Sequence, residues 1–266
     1  MSVRTIKQAL LVILVGALAA LASPSASWAS FIIDPGFDLF QTQPGTSVGG
    51  VPFVGVPLGT FNFGGGPVGT GNTDTIVQRH ATAVAPGGVP GVAPPIPIEM
   101  LALHLMSAAP TNFGLGVGTY FVTLQSERGG PASTGSLTIT FGPEGAPHGT
   151  FGSFFDVFFD IRLGSLTGPI ALSNDAILTA NGVPWSHSPG PGAVEIPGVN
   201  TFLNGSDRLA DFWSIGLFTE QHPGPPATIH VVASARVPGP STLLLLVFGG
   251  VSLLSHGWRR RTRARP

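Results

Sequence analysis

The residues able to do chemistry are few and scattered. Six histidines lie between the two hydrophobic ends, at His80, His104, His148, His187, His222 and His230. None stands in an H-x-x-x-H or H-x-H spacing that would set two imidazoles on one metal ion, so only convergence in space would make a metal site of them. His104, inside an apolar run, reads as a hydrogen-bonded core residue. Asp156 and Asp160 share one face of a strand, which raises glycosidase chemistry. Four residues at about 3.3 Å each place them roughly 13 Å apart, beyond the roughly 5–9.5 Å that paired catalytic carboxyls span. With Arg162 they read as a solvated charged face.

Two glycine patterns match catalytic motifs by letter only. Gly45-Thr46-Ser47-Val48-Gly49 has the G-x-S-x-G form, yet Gly50-Val51-Pro52 cannot supply the helix that a nucleophile elbow requires. Gly64-Gly65-Gly66-Pro67-Val68-Gly69 has the G-x-G-x-x-G form, but Pro67 and the missing βαβ context remove the dinucleotide reading. Asn204, Asp207 and Asp211 offer oxygens for calcium at a spacing unlike an EF-hand loop, and turn or strand-edge roles fit better. The chain has no cysteine, which excludes disulfides, thiolate catalysis and cysteine zinc sites. No catalytic residue and no cofactor is assigned.

These residues sit on a chain built for strands. Its 38 glycines and 26 prolines oppose long helices, while 43% hydrophobic residues and 18 phenylalanines oppose a solvated coil. Phe151 to Leu163 alternates most clearly. Phe155, Val157, Phe159, Ile161 and Leu163 face one way, and Asp156, Phe158, Asp160 and Arg162 the other. Further strands are expected at Phe31–Ile33 and Phe37–Gln41, Val51–Val56, Gly59–Phe63, Thr73–Arg79, Ile170–Leu172, Ala176–Ala180, Asp211–Thr219 and Thr228–Ala235. Phe61 and Phe63 would share a face. Ile98–Ser107, apolar on both faces, predicts a doubly covered central strand. Tyr120–Gln125 and Ser136–Phe141 predict a hairpin about Gly129-Gly130-Pro131, and Asn181-Gly182 a loop. Ala85–Pro97 predicts an irregular connection. The fold class is therefore all-β, a single antiparallel sandwich or jelly-roll-like domain over 30–236, with a solenoid as second choice.

The ends differ from this middle. Arg4 and Lys7 precede an apolar run from Ala9 to Leu21, and Ser27-Trp28-Ala29 sets small residues at the cleavage positions. Residues 1–29 read as a signal peptide with a signal helix, cut after Ala29; a retained anchor is the alternative. At the other end, Pro238 and Pro240 precede an apolar segment, 241–258, of 18 residues. As a helix it spans about 27 Å, near a bilayer's hydrocarbon thickness. Trp258 suits the interface, and Arg259, Arg260, Arg261, Arg263 and Arg265 form a basic anchor that stays cytoplasmic by the positive-inside rule. A plain tail anchor or a buried helix with a basic tail are the alternatives. Setting aside Arg4, Lys7 and these arginines lowers the formal net charge from −1 to −8, so the domain has no basic stripe for nucleic acid.

Val237-Pro238-Gly239-Pro240-Ser241-Thr242 followed by Leu243 to Leu246, the apolar segment and the arginine tail (259–266) resembles the PEP-CTERM sorting signal of exported bacterial proteins. Gly239 stands where that family usually has glutamate. The resemblance covers 237–266 and implies Sec-type export, signal peptidase cleavage and recognition by an exosortase, a membrane thiol transpeptidase. It implies an inner-membrane-anchored precursor, removal of the tail, delivery to the surface or matrix, and company with exopolysaccharide. The expected role is structural or binding, without catalysis. A carbohydrate-binding jelly roll using Trp185, Trp213 and Tyr120 as exposed aromatics is the nearest alternative, and an extracellular hydrolase the third.

Overall fold

The structure, a computed structural model, describes residues 31–143, 148–222 and 227–238. The expected signal and carboxyl-terminal helices, Ala29, Gly239, Pro240 and the five tail arginines lie outside the described residues. Among the described residues no helix is long and apolar enough to cross a membrane. Apart from 3-10 turns at Pro86–Gly88 and Gln125–Arg128, regular structure there is strand.

The first strands are short: β1 (Ile32–Ile33), β2 (Gly36–Thr42), β3 (Ser47–Val48), β4 (Val51–Gly55) and β5 (Thr60–Asn62). There follow β6 (Pro67–Gly69), β7 (Thr75–Arg79), β8 (Ala83–Val84) and β9 (Gly91–Val92). The middle carries β10 (Ile96–Leu103), β11 (Leu105–Ser107), β12 (Tyr120–Leu124), β13 (Ser133–Phe141), β14 (His148–Leu163) and β15 (Ile170–Ser186). The chain closes with β16 (Trp213–Ser214), β17 (Phe218–Gln221) and β18 (Ile229–Ser234). Every pairing between these strands is antiparallel, as the all-β expectation requires.

Four long runs of chain, 96–107, 120–141, 148–163 and 170–186, meander side by side and make one continuous wall. The opposite wall is divided. β10 continues through β7 and β2 to β18, whereas β11 continues through β4 and β3 to the same β18. β17 joins β18 back to β15. The hydrogen-bonded path therefore closes on itself twice, and closure removes most open strand edges.

Alternation along these strands builds the core. Phe155, Val157, Phe159 and Ile161 are buried as expected, and Leu163 packs against the same cluster. Phe61 and Phe63 lie 5.0 Å apart between ring centroids. Trp185 stacks on Phe212 at 5.6 Å and meets the edge of Phe141 at 5.4 Å, while its indole N–H donates to the carbonyl of Thr140.

Several expectations are corrected. The run 98–107 is not one doubly covered strand. It breaks at His104, and a register shift between Met100 and Ala102 exchanges the buried parity from Ile96, Ile98 and Met100 to Leu103 and Leu105. Such a bulge turns the strand rather than covering it twice. The segments 120–125 and 136–141 do not pair as a hairpin. They lie end to end along β14, interrupted by the Gln125–Arg128 turn with Gly129 left-handed behind it. Asn181-Gly182 is a bulge inside β15, since Phe151 pairs with Val183 but Ser153 with Ala180. Within 85–97, Gly91–Val92 forms β9 against Thr140 and Phe141, and β10 begins at Ile96.

Trp185 carries a test of this core. Trp185→Ala leaves a cavity among aromatic neighbours and should cost about 3–5 kcal/mol, read as a fall in the urea midpoint.

Candidate functional site

Polar side chains gather where the divided wall splits. Thr42 ends β2, Asp74 precedes β7, and Glu220 and His230 pair across β17 and β18. All four are buried. The Asp74 carboxylate accepts the Thr42 amide at 2.8 Å, the Thr42 hydroxyl at 2.7 Å and the Thr75 hydroxyl at 2.9 Å. His230 Nε2 lies 3.1 Å from the Thr42 hydroxyl, and its Nδ1 lies 3.2 Å from Glu220. The Asp74 backbone joins the two halves, its N–H donating to Phe40 and its carbonyl accepting from His104.

The order Thr42–His230–Glu220 has the look of a nucleophile, base and orienting acid. Its surroundings are different from those of an open active site. Cavities on either side of His230 are about 20 Å³ each, room for one water and not for a substrate. The Thr42 hydroxyl has a single proton, and three arrangements satisfy every contact. With Thr42 donating to ionised Asp74, His230 is either cationic beside ionised Glu220 or neutral beside protonated Glu220. With Asp74 protonated, Thr42 donates to His230 and the imidazole to Glu220. All three hold the same number of protons and a net charge of −1. Burial pushes the Asp74 carboxyl above the ordinary carboxylate range, and its hydrogen bonds from Thr42 and Thr75 pull it part of the way back. These contacts form one buried hydrogen-bond network that bridges the split.

Buried charges also meet their partners at two other places. Arg79, fully buried, pairs with Asp38 and sits 5.0 Å over the Phe212 ring. Burial raises the Asp38 carboxyl, with Arg79 opposing. On the long wall, Asp160 is fully buried instead of lying on a solvated face. Arg128 reaches back from the turn after β12 to donate at 2.6 Å, Arg162 donates at 2.8 Å and Ser173 at 2.7 Å. Burial opposes ionisation of Asp160, but the donors from Arg128 and Ser173 and the charge of both arginines outweigh it and hold the carboxyl below its usual range. The spacing sets Arg162 beside Asp160, whereas nothing local brings Arg128 there. The spacing of Asp160 and Arg162 on one face was the available sign.

The remaining candidate residues are dispersed. Val237 and Pro238, the first half of the sorting motif, are exposed where the chain leaves the sheet. Trp185, Trp213 and Tyr120 are at most 5% exposed, so they are core residues and not an exposed aromatic platform. Trp185 and Tyr120 belong to the main core cluster, and Tyr120 spends its hydroxyl on the carbonyl of Gly116. His104 is hydrogen-bonded, to Glu127, but is half-buried. Asn204 and Asp207 close a turn on each other and on the amides of Ser206 and Leu209. Asp211 stands apart, buried, accepting from Thr201, Phe202 and Leu203. Ser47 of the G-x-S-x-G pattern lies in β3, and Gly49-Gly50 makes a two-residue turn into β4 with both φ angles positive, 59° and 79°.

Two open depressions complete the surface. One of about 750 Å³ lies between Gln41, Ser188, Ile215, Leu217 and Arg236, and one of about 430 Å³ lies on the outer face of β13–β15. No family model, no curated protein and no solved structure matches the chain.

Removing the shared hydroxyl tests the network. Thr42→Val leaves Asp74 and His230 each short of a buried partner and should lower stability by about 1–3 kcal/mol, measured by urea unfolding at neutral pH. A second test uses acid. A carboxyl held low in the folded state stabilises above the ordinary value of 3.8 and loses that contribution as pH falls through the folded value. The raised Asp38 and Asp74 act in the opposite sense, contributing most below 3.8 and less as pH rises. The stability gap between wild type and Asp160→Asn should therefore shrink as pH is lowered below about 3.8. Midpoints that run parallel from neutral pH to pH 2.5 would contradict it.

Proposed function

We propose that this chain is an exported bacterial cell-surface or extracellular-matrix protein, delivered by a PEP-CTERM-like signal and acting through structural or binding interactions. The observation that carries the reading is the order at the carboxyl end: Val237-Pro238-Gly239-Pro240, then the apolar segment, then the arginines from Arg259. The domain fits this order. The Val237 amide makes the last sheet-side hydrogen bond, to Gly192, and Val237 itself is 58% exposed. Val237 and Pro238, the described half of the motif, are therefore open to an enzyme with the domain folded.

In this reading Sec-type machinery and signal peptidase release the amino end at Ala29, and the 241–258 helix holds an inner-membrane precursor by its arginines. An exosortase then removes the tail and passes the domain to the surface, in contact with exopolysaccharide. The doubly closed arrangement of strands is read as a flattened sandwich of the jelly-roll kind. It suits a secreted domain with no cysteine, because closure and a large aromatic core supply the stability that disulfides often give exported proteins.

Fractionation with carboxyl-terminal mass spectrometry tests the assignment. The mature protein should lack the arginine tail in a strain carrying the candidate exosortase and keep it when that enzyme is deleted. An intact tail in both strains overturns the sorting assignment.

A further inference from the structure

The outer face of β13–β15 carries polar groups that the protein does not use. Ser136, Thr138 and Thr140 alternate with buried Leu137 and Ile139, so their hydroxyls project outward. Across the ladder they face Phe154, Gly152 and Thr150 in that order. Asn181 and Gly182 form the bulge on the neighbouring strand opposite Gly152. Glycine at 152 leaves the floor of the depression open, since a Cβ there would meet the Asn181 side-chain oxygen at 3.2 Å.

The lining of the depression is uniform, with Asp156 on the same face two residues beyond Phe154. None of its lining residues is ionisable, although the domain around it carries a formal charge of −8. The hydroxyls of Ser136, Thr138, Thr140 and Thr150 and the Asn181 amide have no side-chain hydrogen bond within the protein among the described residues, whereas Thr42, Thr46, Thr73 and Thr201 all do. Each free hydroxyl can donate and accept, and the amide adds both functions. Phe154 is 41% exposed at the edge of this array, a large apolar ring with no packing duty on its outer side. A depression of about 430 Å³ combining one aromatic face with several convergent neutral polar groups has the make-up of a ligand site.

We propose that this face binds a neutral oligosaccharide. Such a ligand presents many hydroxyls, each a donor and acceptor, on rings whose C–H faces pack against an aromatic side chain. An acidic glycan or a charged peptide finds no counter-charge here. The inference deepens the reading of a domain that acts by binding outside the cell and rests on it. Its test uses purified protein, so it is independent of whether the tail is processed.

The experiment is affinity electrophoresis and calorimetry of the full chain in mild detergent. The probes are neutral gluco-, manno- and galacto-hexasaccharides, with a uronic acid hexasaccharide as control. At least one neutral series should bind. Phe154→Ala, and separately Thr138→Val with Thr140→Val, should each weaken it at least tenfold while leaving the urea midpoint near wild type. Arg236→Gln, on the other groove, should change nothing. Absence of binding to every neutral probe overturns the proposal, as does binding unaffected by the Phe154 and threonine variants. A preference for the acidic probe that Arg236→Gln abolishes overturns it too. So does self-association of the chain that Phe154→Ala dissolves.

Discussion

The structure depends on keeping one buried carboxylate satisfied. Asp74 sits where two half-walls part, and it accepts three hydrogen bonds through its side chain while its backbone ties β2 to His104. Losing one partner of such a buried group costs about 1–3 kcal/mol, because the remaining polar atom stays desolvated. Space around it is equally constrained. Gly55 packs so closely that any Cβ would overlap the Asp74 carboxylate, at 1.8 Å. Only glycine lets β4 pass the point where β7 begins.

The same logic recurs at the other buried charges. Arg79 and Asp38 neutralise each other beside Phe212, and Asp160 is enclosed by Arg128 and Arg162. Replacing such pairs with apolar residues is often neutral for stability, whereas removing one partner is not. Their value here lies in register. Each ties together segments distant in the chain, residues 38 and 79, 128 and 160, 74 and 42, 42 and 230. A strand slipped by one residue would turn these groups to the wrong face and leave the charge unpaired.

The sequence made the class and most strand positions legible, because period-two alternation is local. Phe155 to Ile161 could be assigned without knowing any partner. Longer-range choices were not legible. Asn-Gly favours a two-residue turn, yet at Asn181-Gly182 the neighbouring β14 continues past, so the pair is taken up as a bulge with Gly182 at φ 64°. Ser173, Asn174 and Asp175 look like loop residues. They remain in the ladder because β14 runs beside them and Ser173 finds Asp160 across it. Asp160 looked solvent-facing because nothing local shows that Arg128 returns over it. The network of Thr42, Asp74, Glu220 and His230 draws on four segments, and no single spacing encodes it.

The distribution of hydroxyls then separates the two sides of the sheet. Threonines at the split are buried and committed: Thr42 and Thr75 to Asp74, Thr46 to the backbone of Gln43 and Val231. On the outer face of β13 and β14 they are uncommitted, although strand geometry would have let charged residues stand there as well. Charged side chains commonly keep outer faces and edges of sheets soluble and unpaired. Around the depression their place is taken by Ser136, Thr138, Thr140, Thr150 and an exposed phenylalanine, and charge returns on the same strand only at Asp156 and beyond. The buried ion pairs Arg79–Asp38, Arg128–Asp160 and Arg162–Asp160 sit at junctions that fix register. The neutral face is what remains available for contact with something outside the chain.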